Sequence, residues 1–214
     1  MLRLKVDKKS LLLYLVTDRS WLGEDSLITH VKESLINGVT FLQLREKDLD
    51  ENSFLNLALE IKDLAKEYAV PFVINDNIDI ALKSNADGVH IGQDDMSIDK
   101  ARKAIGEDKI LGVSVGTVNE AIEAEKLGAD YLGIGAVFST DTKKDAGAVT
   151  FETLKNICQS VDIPIVAIGG INKENVSSLK GSGIDGVAVI SAILAKKDIA
   201  KATCELKDIC ERIF

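Results

Sequence analysis

Short apolar, β-branched runs recur along the chain about every 20 to 30 residues. They are LLLYLVT (11–17), FLQLR (41–45), FVIND (72–76), GVHIG (88–92), ILGVSV (110–115), YLGIGAVF (131–138), IVAIGG (165–170) and GVAVIS (186–191), eight in all. The repeat is one of pattern more than of residue identity. Each run is nearly continuous in its apolar character, as a strand buried on both faces requires. The segments between them carry helical periodicity. Phe54, Leu55, Ala58, Ile61, Leu64, Ala65 and Tyr68 are spaced to share one face. The segment AIEAEKLGAD stops at Gly128, a residue suited to ending a helix.

Strand then helix, eight times over, predicts parallel strands joined by right-handed crossovers. An open doubly wound sheet is the competing arrangement. Eight βα units suit a closed (β/α)₈ barrel, a TIM barrel of the α/β class, better. Pro71 and Pro164 stand immediately before the third and seventh predicted strands, where a missing N–H does little harm. No linker rich in Pro, Gly or Ser divides the chain, so residues 1–214 read as a single barrel domain.

The 214 residues suffice for one well-buried core, and 46% hydrophobic with 28% charged residues is an ordinary globular composition. No apolar run reaches the roughly 18 residues that a membrane span needs. The first apolar run, LLLYLV, is shorter than a signal-peptide core and is followed by VTDRS, which is no cleavage site. A cytoplasmic location is therefore expected, with no membrane partner. The net charge of −8, from 26 basic against 34 acidic residues, argues against a nucleic-acid partner. Cys158, Cys204 and Cys210 have no metal-ligand spacing and read as inert, buried thiols. Of the two histidines, His30 is expected at the surface of the first helix, and His90 lies in the fourth strand.

In such a barrel the chemistry belongs at the C-terminal ends of the strands. Strand 1 ends in Thr17-Asp18 and strand 5 carries Ser114. Gln43, Arg45 and Lys47 alternate along strand 2 and so share one side, facing the barrel mouth if Gln43 points inward. Strand 3 ends in Asn75-Asp76, and strand 4 leads through His90 into Gln93-Asp94-Asp95. The strand 6 loop holds Thr140, Thr142, Lys143 and Lys144; strands 7 and 8 close on Gly169-Gly170 and Ile190-Ser191. Loops after strands 7 and 8 commonly cradle a phosphate with backbone N–H groups, and glycine permits close approach to the anion. The plainer alternative is a pair of tight-turn glycines. Asp76 and Asp95, from adjacent strand ends, offer hard oxygen ligands that suit Mg²⁺; otherwise each caps the helix after its strand. Two acidic groups facing Arg45, Lys47 and Lys143 make sense with a metal and a polyphosphate between them. His90 reads as a hydrogen-bonded barrel-lining residue. The ring leaves no Ser/His/Asp triad.

The stretches YLVTD, LQLREK, IND, GVHIGQDD, LGVSV, ADYLGIGAVFSTDTKKDA, IPIVAIGGI and GVAVISAI together resemble the thiamine-phosphate synthase family, over about residues 14–193. The combination of LQLREK, GVHIGQDD and TDTKKDA at these spacings carries the resemblance; AIGGI alone is common among barrels. The resemblance implies a TIM-barrel transferase of thiamine biosynthesis. Such an enzyme couples 4-amino-5-hydroxymethyl-2-methylpyrimidine diphosphate to 4-methyl-5-(2-phosphoethyl)thiazole and releases pyrophosphate. It implies Gln43, Arg45, Lys47 and Asn75 on the pyrimidine diphosphate, Asp76 and Asp95 on Mg²⁺, and Ser114 and Lys143 as further diphosphate contacts. Arg45, Lys47, Ser114 and Lys143 are then the catalytic set. Thr140, Thr142, Gly170, Ile190 and Ser191 are implied for the thiazole phosphate. Two positions depart from the family pattern: Gly116 where a histidine is common, and Ala136 where a proline is common. A thiazole tautomerase is the nearest rival, but such barrels use a histidine at the position of Gly116 and lack the full diphosphate motif. A non-catalytic product-binding barrel hardly needs Asp76, Asp95 and Lys143. A homo-oligomer is compatible with the sequence.

Overall fold

The eight apolar runs form eight parallel strands that close in sequence order, β8 pairing back with β1. They are β1 (Leu13–Val16), β2 (Phe41–Leu44), β3 (Phe72–Asn75), β4 (Gly88–Ile91), β5 (Ile110–Val115), β6 (Tyr131–Ile134), β7 (Ile165–Ile168) and β8 (Gly186–Val189). The arrangement is the closed barrel, not the open sheet. The computed structural model describes residues 6–23, 25–93, 95–139 and 149–214. The helices are α1 (Leu27–Ile36), α2 (Glu51–Glu67), α3 (Ile78–Lys83), α4 (Ile98–Ile105), α5 (Val118–Lys126), α6 (Phe151–Ser160), α7 (Ser191–Leu194) and α8 (Ile199–Ile213). Between β7 and β8 the expected helix is replaced by a 3₁₀ segment, Val176–Leu179.

Alternation along the strands divides the core in two. Leu13 and Leu15, Leu42 and Leu44, Val89 and Ile91, and Leu132 and Ile134 point outward and pack with the helices in one large cluster. Tyr14, Phe41, Val73, Tyr131, Val166 and Ala188 point inward and fill the barrel. The rings of Tyr14, Phe41 and Tyr131 meet with centroids 4.6 to 6.0 Å apart, in tilted and edge-on contacts. They plug the barrel and form a floor for whatever lies above.

One device ties the strands in pairs at the opposite, N-terminal face. Asp87, Asp130 and Asp185 directly precede β4, β6 and β8. Their carboxylates accept the N–H of Phe72, Leu111 and Ile165, at 2.8, 2.8 and 2.9 Å. Phe72, Leu111 and Ile165 each lie one residue before the first ladder pair with the next strand, so each carboxylate satisfies a donor that burial would otherwise orphan.

Two expectations are corrected. His30 is buried, not at the surface, because α1 turns His30 and Ser34 inward beside Leu27, Val31 and Leu35. The cysteines are not uniformly buried. All three are free; Cys210 is buried, Cys158 half-buried and Cys204 exposed. Burial pushes the Cys210 thiol up to about 12 and the Cys158 thiol up to about 11, consistent with inertness there. Among the described residues, no helix is long and apolar enough to cross a membrane.

Candidate active site

A cleft opens at the C-terminal end of the barrel, above the aromatic floor. Gln43, Arg45, Asn75, His90 and Ser114 line one side of it, from β2 to β5. Gly169, Gly170, Ile190 and Ser191 line the other, after β7 and β8. Val16, Ala136, Val166, Ile168, Ile171 and Ala188 give that second side an apolar surface. Members of the two residue sets that the family resemblance implies thus line one cleft, polar on one wall and largely apolar with a glycine turn on the other.

Arg45 is aimed by the end of β1. Val16 pairs with Gln43 in the ladder, so Asp18 stands opposite Arg45 two residues on. Asp18 Oδ2 accepts a hydrogen bond from Arg45 Nη1 at 2.9 Å, and Thr17 Oγ1 accepts one from the Arg45 backbone N–H, also at 2.9 Å. Burial alone would raise the Asp18 carboxyl. Hydrogen bonds from Ser20 and the charge of Arg45 more than offset it and hold the group below its ordinary value. The guanidinium is thereby fixed with its charge toward the cleft.

Lys47, Asp76 and Asp95 are exposed on the loops after β2, β3 and β4, and do not form part of the cleft wall. The shared face predicted for Gln43, Arg45 and Lys47 holds for the first two; β2 ends at Leu44, and Lys47 is carried away by the loop. Neither aspartate caps a helix. Asn77 caps α3, and Ser97 stands at the N-cap of α4. Asp76 takes the left-handed conformation (φ 60°) and accepts a 2.7 Å hydrogen bond from the Asn75 side chain. Backbone of this kind in a non-glycine residue clusters at functional sites. Asp95 Oδ2 accepts the Gly92 N–H at 2.7 Å. Among the described residues, no group of three or more His, Cys, Asp or Glu could hold a metal ion. Two hard, exposed carboxylates on neighbouring loops still fit Mg²⁺, which keeps water and takes phosphate oxygens as its remaining ligands. Thr140, Thr142 and Lys143 lie outside the described residues.

The glycine turn is braced from behind. Gly169 and Gly170 both have positive φ, 98° and 66°. The Asn175 side-chain amide donates to the Gly170 carbonyl at 2.9 Å, and Phe138 N–H donates to the Gly169 carbonyl at 3.0 Å. With the Gly170 carbonyl held from behind, the turn presents backbone to the cleft without a side chain in the way. Of the two departures from the family pattern, Ala136 lines the cleft. Gly116 does not; its N–H is taken by Glu120 Oε2 at 2.7 Å, in the cap of α5.

Sequence reasoning missed four groups. Asp18 was visible only as a strand end, and its partner follows from the register. Asn175 gave no signal. Tyr14 and Tyr131 sat inside apolar runs, yet both are buried in the barrel with their hydroxyls 2.8 Å apart. A tyrosine at an inward barrel position needs a partner for its O–H, and that was the available clue. His90 lines the barrel by hydrogen bonds, as expected: Nδ1 to Tyr131 Oη and Nε2 to Ser114 Oγ, both 2.9 Å.

Comparison with known proteins places these features in a family. The family model for thiamine monophosphate synthase matches residues 13–193. The thiamine-phosphate synthase of Clostridium beijerinckii is 53% identical over 196 residues, covering 92% of this chain and 94% of that protein. The enzyme of the same name from Clostridium tetani is 53% identical over 194 residues, covering 91% and 93%. A solved structure, thiamine phosphate pyrophosphorylase from Pyrococcus furiosus, matches with a TM-score of 0.89 and 42% identity, over 97% of this chain and 98% of that one.

Proposed function

The chain belongs to the thiamine monophosphate synthase family, and we propose that it joins 4-amino-5-hydroxymethyl-2-methylpyrimidine diphosphate to 4-methyl-5-(2-phosphoethyl)thiazole. The products are thiamine monophosphate and pyrophosphate, and residues 1–214 act as one catalytic domain. The observation that carries this reading is the divided cleft. Gln43, Arg45, Asn75 and Ser114 line one wall, and a glycine turn with Ser191 and an apolar lining forms the other. That suits a diphosphate on one side, a monophosphate on the other, and two rings between them.

In this reading the pyrimidine methylene C–O bond breaks and its electron pair leaves with pyrophosphate. The amino-pyrimidine ring donates electrons to the methylene, so the path is dissociative in character. The lone pair of the thiazole nitrogen then forms the new C–N bond, and the positive charge ends on the thiazolium ring. That nitrogen carries no proton, so no general base is needed. Arg45, Lys47, Lys143 and Ser114 stabilise the charge that builds on the leaving group. Gln43 and Asn75 hold the pyrimidine diphosphate. Gly170, Ile190 and Ser191, with Thr140 and Thr142, hold the thiazole phosphate so that the nitrogen lies in line. Asp76 and Asp95 would hold Mg²⁺, which when bound neutralises diphosphate charge.

One assay tests the proposal. Both substrates and Mg²⁺ are mixed with the protein, and pyrophosphate and thiamine monophosphate are measured, with each substrate omitted in turn. Stoichiometric formation of both products is expected. Thiazole tautomerisation without product would assign the tautomerase instead, and product binding without turnover a sensing barrel.

A further inference from the structure

A single line of hydrogen bonds crosses the barrel beneath the cleft. Gln43 Nε2 donates to Tyr14 Oη at 2.5 Å; Tyr14 and Tyr131 hydroxyls are 2.8 Å apart; Tyr131 Oη is 2.9 Å from His90 Nδ1; and His90 Nε2 is 2.9 Å from Ser114 Oγ. The five residues come from β2, β1, β6, β4 and β5. Gly112 makes the line possible. A Cβ there would lie 2.4 Å from the Tyr131 hydroxyl and 2.5 Å from His90 Nδ1. Any side chain at that position would separate the two groups.

The line has a direction. Tyr14 Oη accepts from Gln43, so its own proton needs another acceptor, and Tyr131 Oη supplies one. The Tyr131 O–H then donates a hydrogen bond to His90 Nδ1. A neutral imidazole that accepts at Nδ1 carries its proton on Nε2, and it donates that to Ser114 Oγ. The reverse polarity would leave the fully buried Tyr14 O–H with no acceptor in this line, a costly arrangement. Burial pushes both phenols well above their ordinary value, so they stay protonated and act as neutral links.

We propose that this relay makes Tyr131 and His90 positioning residues that commit the Ser114 hydroxyl to donating into the cleft. Ser114 Oγ already accepts a hydrogen bond from His90 Nε2, so its own O–H is the one left to offer a ligand. Diphosphate oxygens are acceptors only. Under the reverse polarity Ser114 would give its proton to His90 and turn lone pairs toward the anion. The relay therefore decides whether Ser114 attracts or repels the leaving group. The inference rests on the placement of Ser114 beside the diphosphate.

The test combines a spectrum with a double-mutant cycle. In ¹⁵N-histidine-labelled protein, which has two histidines, the His90 signals are those lost in His90→Gln. A protonated Nε2 and an unprotonated Nδ1 are expected; a protonated Nδ1 would overturn the proposal whatever the variants do. Tyr131→Phe should lower kcat about 10- to 100-fold, the scale of one hydrogen bond to a charged group, with thiazole-phosphate KM little changed. In a Ser114→Ala background the same change should lower kcat by less than about 2-fold, because the relay acts only through Ser114. An undiminished loss in that background would make Tyr131 merely structural and overturn the proposal. Wild-type kcat in Ser114→Ala alone would overturn the diphosphate reading beneath it.

Discussion

Replacing Gly170 by alanine tests the phosphate cradle at its tightest point. The residue has φ 66°, where an L side chain is strained by about 1–2 kcal/mol. An added Cβ would also lie 2.4 Å from the Ser139 carbonyl oxygen and 2.9 Å from Phe138 Cβ. Ordinary van der Waals contact begins at 3.4 Å, so the turn and the start of the β6 loop must separate by about 1 Å. Relieving the contact strains the hydrogen bond from Phe138 N–H to the Gly169 carbonyl. Overpacking of this kind adds about 1–3 kcal/mol. The two contributions together predict a loss of about 2–5 kcal/mol in unfolding free energy.

Gly181→Ala separates the contributions. Gly181 has φ 81° and nothing within 4 Å of an added Cβ, so it carries the backbone strain alone. Urea unfolding of both variants should show Gly181→Ala destabilised by about 1–2 kcal/mol and Gly170→Ala by more. Kinetics should separate them further. A displacement of about 1 Å at a positioning group can reduce activity about 100-fold. Gly170→Ala should therefore raise the thiazole-phosphate KM steeply, while Gly181→Ala leaves both substrate constants alone. If Gly170→Ala is no less stable than Gly181→Ala and binds thiazole phosphate normally, the cradle has been misassigned.

Asp76→Ala should slow turnover at limiting Mg²⁺ and recover in part at high Mg²⁺; unchanged kinetics at limiting Mg²⁺ would remove Asp76 from the metal set. Lys143→Ala should lose about 2–4 kcal/mol of transition-state stabilisation, read as a fall in kcat. A loss confined to thiazole-phosphate KM would move Lys143 to the other ligand. The Asp18 carboxyl, whose ordinary value is 3.8, is held lower in the folded chain, so it stabilises the fold above that value and the contribution fades as pH falls through the lower folded value. Urea midpoints of Asp18→Asn should accordingly fall less steeply than wild type on acidification below about pH 4, and parallel curves would show that the Arg45 pair contributes nothing there.

The barrel was legible because its outward sublattice is uniform. Every strand position that faces the helices is apolar: Leu13 and Leu15, Leu42 and Leu44, Phe72 and Ile74, Val89 and Ile91, and so on round to Val187 and Val189. Continuous apolar runs with helical segments between them require parallel strands covered on both faces, and their number, eight, favours closure over an open sheet. The strand ends were read too long for the same reason that they matter. LLLYLVT was taken to Thr17, yet the ladder stops at Val16, and Thr17 and Asp18 turn instead to hold Arg45. The two misread side chains were legible in principle. His30 and Ser34 extend the buried stripe of Leu27, Val31 and Leu35, and Cys204 falls one position off the stripe of Ile199, Thr203, Leu206 and Cys210.

The inward sublattice is where sequence reasoning thinned, and the reason is geometrical. Gln43, Asn75, His90 and Ser114 stand out because they are polar within apolar runs. Tyr14 and Tyr131 do not, since a tyrosine counts toward an apolar run while carrying a hydroxyl. Their role appears only when strands 1, 2, 4, 5 and 6 are drawn round one axis, which brings residues 117 positions apart within hydrogen-bond distance. Gly112 is the most easily missed of all. In the sequence it weakens a strand; in the barrel it is the gap through which Tyr131 reaches His90. A substitution at Gly112 adds nothing to the cleft wall itself, yet it would push Tyr131 and His90 apart and cut the line that orients Ser114. The outward sublattice thus specifies the fold by what its residues have in common. The inward one specifies the site by differences among its residues, and those differences acquire meaning only across the barrel.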